Sequence, residues 1–115
     1  MALKSAEINL LSGQREGLHE MKQRLQASFP VQEILVFGSV ARGTAGEDSD
    51  IDVLVITAAP LSHKEKRAMS GITFEIDLKY GTCISLIVVD AASWYNGLYP
   101  YTAFYNEVQR DGVTI

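Results

Sequence analysis

Phe37 to Ile56, FGSVARGTAGEDSDIDVLVI, constrains this chain more than any other stretch. It begins where a short apolar run, Val31 to Phe37 (VQEILVF), ends on glycine, and it leads into a second run, Ile51 to Thr57, with Asp50 and Asp52 at its mouth. The first run, rich in β-branched and apolar residues and closed by glycine, predicts a buried strand. The second is apolar on both faces, which predicts a central strand covered on each side. Between them, Gly38 to Asp48 is a connection with room for a short helical turn, and its three glycines permit backbone geometries that larger residues resist.

Around this pair the pattern is α/β. Residues 1 to 12 have too weak a period to assign an element, whereas Leu18, Met21 and Leu25 mark an amphipathic helix from about Gln14 that Pro30 stops. Ser62 and Glu65 form a capping-box pattern for a helix with Met69, Ile72 and Ile76 inward, ended by Gly81 after Tyr80. Cys83 to Val89 (CISLIVV) reads as a third strand ending at Asp90. A short helix over Ala91 to Leu98, an interruption at Pro100 and a last helix over Thr102 to Arg110, ended by Gly112, complete the chain. With no repeat, linker or low-complexity tract, this predicts one domain over residues 1–115, built on a small mixed sheet flanked by helices.

Charge and apolar content exclude several classes. A formal net charge of −4 with no basic arm argues against broad nucleic-acid binding, which depends on lysine and arginine at phosphates. No apolar run approaches the roughly 18 residues of a membrane span, and the start lacks a signal-peptide pattern, so no membrane contact and a cytoplasmic location are expected. Cys83 is the single cysteine; its apolar neighbours predict an inert core thiol in a reducing compartment. His19 and His63 have no partner at zinc-site spacing.

The two halves of the central stretch ask for different chemistry. On a strand, residues i and i+2 share a face roughly 6 to 7 Å apart, so Asp50 and Asp52 can converge on a hard divalent cation, Mg²⁺ or Mn²⁺, ions that also bind phosphate. The plainer alternative is an acidic strand end. Gly38-Ser39 offers backbone N–H groups and a hydroxyl to phosphate oxygens, with Arg42 as a positive fork; the plainer alternative there is a strand-ending turn. Rival motifs fail on their own residues. Thr44 stands where a P-loop needs lysine, Val53 stands where an EF-hand loop needs glycine, and Ser39 has neither a histidine base nor the G-x-S-x-G elbow.

Gly38-Ser39, ten residues, then Asp50-Ile51-Asp52, with Ala41-Arg42-Gly43 and Ser49 between, resembles the signature of the DNA polymerase β-like nucleotidyltransferase superfamily. More narrowly it resembles the minimal nucleotidyltransferases. The resemblance implies that fold over most of the chain. It also implies an Mg²⁺-dependent enzyme in which Gly38 and Ser39 hold the triphosphate, Arg42 assists, and Asp50 and Asp52 are the catalytic carboxylates that ligate one or two metal ions. A nucleoside triphosphate, ATP first, would be the substrate, and a hydroxyl the acceptor of the nucleoside monophosphate. Proteins of this kind are often encoded beside a HEPN-domain partner as antitoxin and toxin, which makes a HEPN-type protein the expected partner and acceptor.

One residue departs from the family pattern. A third carboxylate is usual inside the next strand, and its place falls near Ser85, which neither ligates metal well nor serves as a base. Asp90 lies roughly 16 Å farther along an extended chain and is better read as the cap of the following helix. Six aromatic residues, Trp94, Tyr95, Tyr99, Tyr101, Phe104 and Tyr105, form either core or a partner surface. Two function classes follow: an adenylyltransferase, and a binding protein that keeps the fold but neutralises its partner by complex formation alone, the reading that Ser85 favours. Nothing in the stretch selects the nucleobase.

Overall fold

The computed structural model describes residues 10–43 and 50–115, so residues 1 to 9 and, with them, Asp48 and Ser49 of the central stretch lie outside the described residues. The elements run α1 (Ser12–Ser28), β1 (Val31–Phe37), α2 (Gly38–Arg42), β2 (Ile51–Thr57), α3 (His63–Tyr80), β3 (Ile84–Asp90), α4 (Ala91–Asn96), a 3₁₀ turn (Tyr99–Tyr101), α5 (Ala103–Asp111) and β4 (Val113–Thr114). Both strand limits around the central stretch fall where the apolar runs placed them. α3 is capped as its sequence predicts: Glu65 N–H donates to Ser62 Oγ, Ser62 N–H donates to the Glu65 carboxylate, and Gly81 follows in the left-handed conformation.

The sheet order is β3-β2-β1-β4. β2 is interior, antiparallel to β1 and parallel to β3, so the sheet is mixed. β4, a two-residue strand, pairs antiparallel with Leu35 and Val36. Its sequence gave no sign of a strand, because two residues carry no period and only the β1 edge beside them makes them one.

The alternation along β2 sorts its side chains onto two cores. Ile51, Val53 and Val55 join Leu18, Met21, Leu25, Met69 and Ile76 under α1 and α3. Leu54 and Ile56 face the other way, against Phe37, Val89, Trp94 and Val108. Asp52 falls by the same alternation on this second face. There α4, the 3₁₀ turn and α5 cover the Leu54–Ile56 end; Asp52 is half-buried and Ser85 is exposed.

The aromatic cluster is core only in part. Trp94 is buried, with Tyr99, Phe104 and Tyr105 rings packed 4.8 to 5.8 Å from it. Tyr101 is 86% exposed and Tyr95 is exposed, its hydroxyl donating to Glu33. The expectation for Cys83 is overturned: the thiol is exposed, because β3 begins one residue later, at Ile84, and Cys83 lies at the open end of the sheet. No described helix is long and apolar enough to cross a membrane.

Candidate active site

Three chain segments meet at one end of the sheet. Phe37, the last residue of β1, pairs with Asp52, and Asp52 pairs on its other side with Ser85. Ile51 N–H donates to the Cys83 carbonyl at 2.8 Å, which ties the start of β2 to the segment before β3. The chain leaves Phe37 directly into α2, so the glycine-serine turn and the second aspartate are neighbours because β1 and β2 are.

Gly38 shows how close that approach is. Its φ is +73°, a conformation that costs an L side chain roughly 1–2 kcal/mol. A Cβ placed there would run into the Asp52 carboxylate oxygen. Glycine is therefore required twice, for the backbone turn and for the space that the carboxylate occupies. Ser39 and Arg42 follow in α2, with Ser39 half-buried and Arg42 exposed; Gly43, also left-handed, ends the helix.

The Asp52 carboxyl titrates above the usual carboxylate range. Burial is the main cause, the charges of Asp50 and Glu107 add to it, and Arg42 opposes it. Among the described residues no hydrogen-bond donor is directed at this carboxylate. Asp50 is exposed, and the Cys83 thiol is hydrogen-bonded to it, which raises the thiol pKa. Among the described residues no group of three or more histidine, cysteine, aspartate or glutamate side chains is gathered as a metal site.

The structure thus brings Gly38, Asp50, Asp52 and Arg42 into one electrostatic neighbourhood and puts Ser85 beside Asp52. Asp90 is at the opposite end of β3, where it caps α4: Ser93 N–H donates to its Oδ2 at 3.0 Å and Ser93 Oγ–H to its Oδ1 at 2.9 Å. Two residues of the neighbourhood were not foreseen. Arg42 Nη1 donates to Asp111 Oδ2 at 3.1 Å and lies 3.9 Å from Glu107 Oε1, so α5 holds the guanidinium from the β1 side of the face that Asp52 and Ser85 share. The i, i+4 spacing of Glu107 and Asp111 places both on one helical face, but nothing local reveals that Arg42 lies opposite.

A family model described as a nucleotidyltransferase domain matches residues 18–109. The protein named “Putative protein adenylyltransferase MJ0141” of Methanocaldococcus jannaschii is 33% identical over 85 residues, which are 74% of this chain and 79% of that protein. Among solved structures, a toxin–antitoxin crystal structure with AMP-PNP superposes with a TM-score of 0.58 at 21% identity, over 90% of this chain and 72% of that one. A Shewanella oneidensis complex of tri-AMPylated HEPN toxin with MNT antitoxin gives 0.54 at 19% identity, over 88% and 70%. These last two likenesses are likenesses of fold.

Proposed function

The chain belongs to the nucleotidyltransferase domain family, and from that premise we propose that it transfers a nucleoside monophosphate, AMP from ATP, to a hydroxyl of a HEPN-type partner protein in the cytoplasm, and so acts as an antitoxin. The observation that carries this reading is the contact between Gly38 and the Asp52 carboxylate, which joins the turn suited to phosphate with the acid suited to metal. The match to a protein named as an adenylyltransferase and the fold shared with an MNT antitoxin seated on an AMPylated HEPN toxin support the choice of AMP and of a protein acceptor.

The donor set fits Mg²⁺. Two carboxylates supply hard oxygen ligands, and their mutual charge, with the partial burial of Asp52, is the kind of strain a divalent cation relieves. When bound, the metal would stabilise charge on the entering and leaving oxygens. The chain's own residues bind and orient. Gly38 and Ser39 would take phosphate oxygens through backbone N–H and hydroxyl, and Arg42 would add charge from a guanidinium already held by Asp111. In the reaction the acceptor oxygen bonds to the α-phosphorus as that phosphorus loses its bond to the β-phosphate oxygen. Pyrophosphate departs with the electron pair, and the hydroxyl proton passes to water.

Ser85, in register with Asp52, favours a second reading, in which the chain binds nucleotide and partner without turnover. Incubation with labelled ATP, Mg²⁺ and a HEPN-type partner protein separates the two. Label on the partner with the native chain, and none with Asp50→Ala/Asp52→Ala, supports transfer. A tight complex with no label from either version leaves the binding role alone standing.

A further inference from the structure

β3 has an outer edge that no described strand covers, and that edge lies one strand away from Asp52. The Cys83 carbonyl faces β2, accepting from Ile51 N–H, while Ile84 N–H faces outward and donates to Asp77 Oδ1 at 3.1 Å. Continuing that alternation, Leu86 and Val88 direct N–H and C=O away from β2, and no described strand meets them. Their side chains pack under α1 and α3, so the edge is anchored. On the opposite face, that of Asp52, β3 shows only Ser85 and Ile87 before Val89 goes under cover; Ile87 is 37% exposed.

We propose that the acceptor enters as an extended peptide segment that pairs with the outer edge of β3, and that the small side chain of Ser85 leaves a lane across the strand through which the segment's hydroxyl reaches Asp52. The inference rests on the transferase reading and deepens it. Strands lie about 4.8 Å apart, so a residue of an added strand opposite Ser85 stands about 10 Å from Asp52. A serine or threonine hydroxyl at that position ends over β3. A long side chain with its hydroxyl at the far end can cross, lying over Ser85 with its apolar body on Ile87. The unpaired backbone supplies affinity without sequence preference, as in other strand-addition complexes, and the departure from the family pattern at position 85 becomes the opening that the acceptor uses.

The test uses the native chain, Mg²⁺ and ATP labelled at the α-phosphate with two acceptors: the folded HEPN partner, and degenerate heptapeptides with a central tyrosine. The peptides are also made with alternate backbone amides N-methylated, in both phases, which removes donors from one side of a strand and spares its side chains. Expected are labelling of the unmethylated peptides, a difference of at least about tenfold between the two methylated phases, and a loss of at least about tenfold with Ser85→Trp or Ile87→Glu. Both positions are exposed, and both variants should keep the rise in melting temperature that Mg²⁺ with ATP gives the native chain. Equal labelling of the two phases, undiminished labelling by both variants, or label on the folded partner with none on any peptide overturns the docking and leaves the transferase standing. No label on either acceptor while the thermal shift persists removes transfer and the docking with it.

Discussion

Asp52 and Asp90 stand at opposite ends of the paired strands β2 and β3, and their surroundings differ in every respect that matters to a carboxylate. Asp90 accepts two hydrogen bonds from Ser93 and feels Lys66, which together hold its carboxyl below the usual range. Asp52 faces a second acid, has no donor among the described residues and titrates high. The first is consumed in building structure, since it starts a helix. The second is held at a cost to the fold, which is consistent with the proposed role of Asp52 as a group kept for a ligand. Ser62, capping α3 near Pro60 and Leu61 at the Asp90 end, belongs to the same structural set as Asp90.

The largest expected effect would break this contrast if it failed. Asp50→Ala/Asp52→Ala should cost on the order of 10³-fold in transfer and abolish stabilisation by Mg²⁺ with ATP, while leaving the apoprotein at least as stable as the parent in a thermal scan. A variant that melts markedly lower without ligand would show that the acidic end is structural after all. Asp90→Ala should do the reverse, lowering the apo melting temperature and preserving the increment on adding Mg²⁺ with ATP.

Gly38→Ala and Gly43→Ala sharpen the comparison within the acidic end. Both glycines are left-handed, so each substitution should cost roughly 1–2 kcal/mol in a denaturant titration. Only Gly38 abuts Asp52; at Gly43 an added Cβ meets nothing among the described residues. Loss of nucleotide binding should therefore follow Gly38→Ala and not Gly43→Ala. At the structural end, Ser62→Ala removes one cap hydrogen bond and should lower stability by about 1 kcal/mol, with the nucleotide increment unchanged.

How much of this was legible in the sequence follows from the range of the interactions. The limits of β1 and β2 and the box over Ser62 and Glu65 are local patterns, and they stand where the residues put them. Asp90 as a helix cap is equally local. Cys83 was misjudged because its apolar neighbours, Ile84 and Leu86, belong to an edge strand that starts after it. The hold of Asp111 on Arg42 joins residues 69 apart in the chain, and it exists only because α5 crosses the sheet beside α2. Local pattern placed the candidate site, and topology decided what surrounds it.

The smallest effect is the most direct measure of the difference between the two aspartates, because their contributions to stability should run in opposite directions with pH. The lowered folded pKa of Asp90 contributes stability that is present above its unfolded value, about 3.9, and is lost as pH falls through the folded value. The raised folded pKa of Asp52 does the opposite. Its ionised form weakens the fold at neutral pH, and the penalty disappears as pH falls through that raised value toward the unfolded one. Urea titrations of the apoprotein from neutral pH to about pH 3.5, with Asp52→Asn and Asp90→Asn beside the parent, read both signs. Asp52→Asn should be the more stable protein at pH 7, with its advantage shrinking as the parent's carboxyl protonates. Asp90→Asn should be the less stable at pH 7, with its deficit shrinking only at lower pH. Saturating Mg²⁺ at neutral pH should remove the advantage of Asp52→Asn and leave the Asp90 deficit unchanged, because only one of these carboxylates has a ligand to gain. If Mg²⁺ moved both or neither, the division of the sheet into a structural and a binding end would not hold.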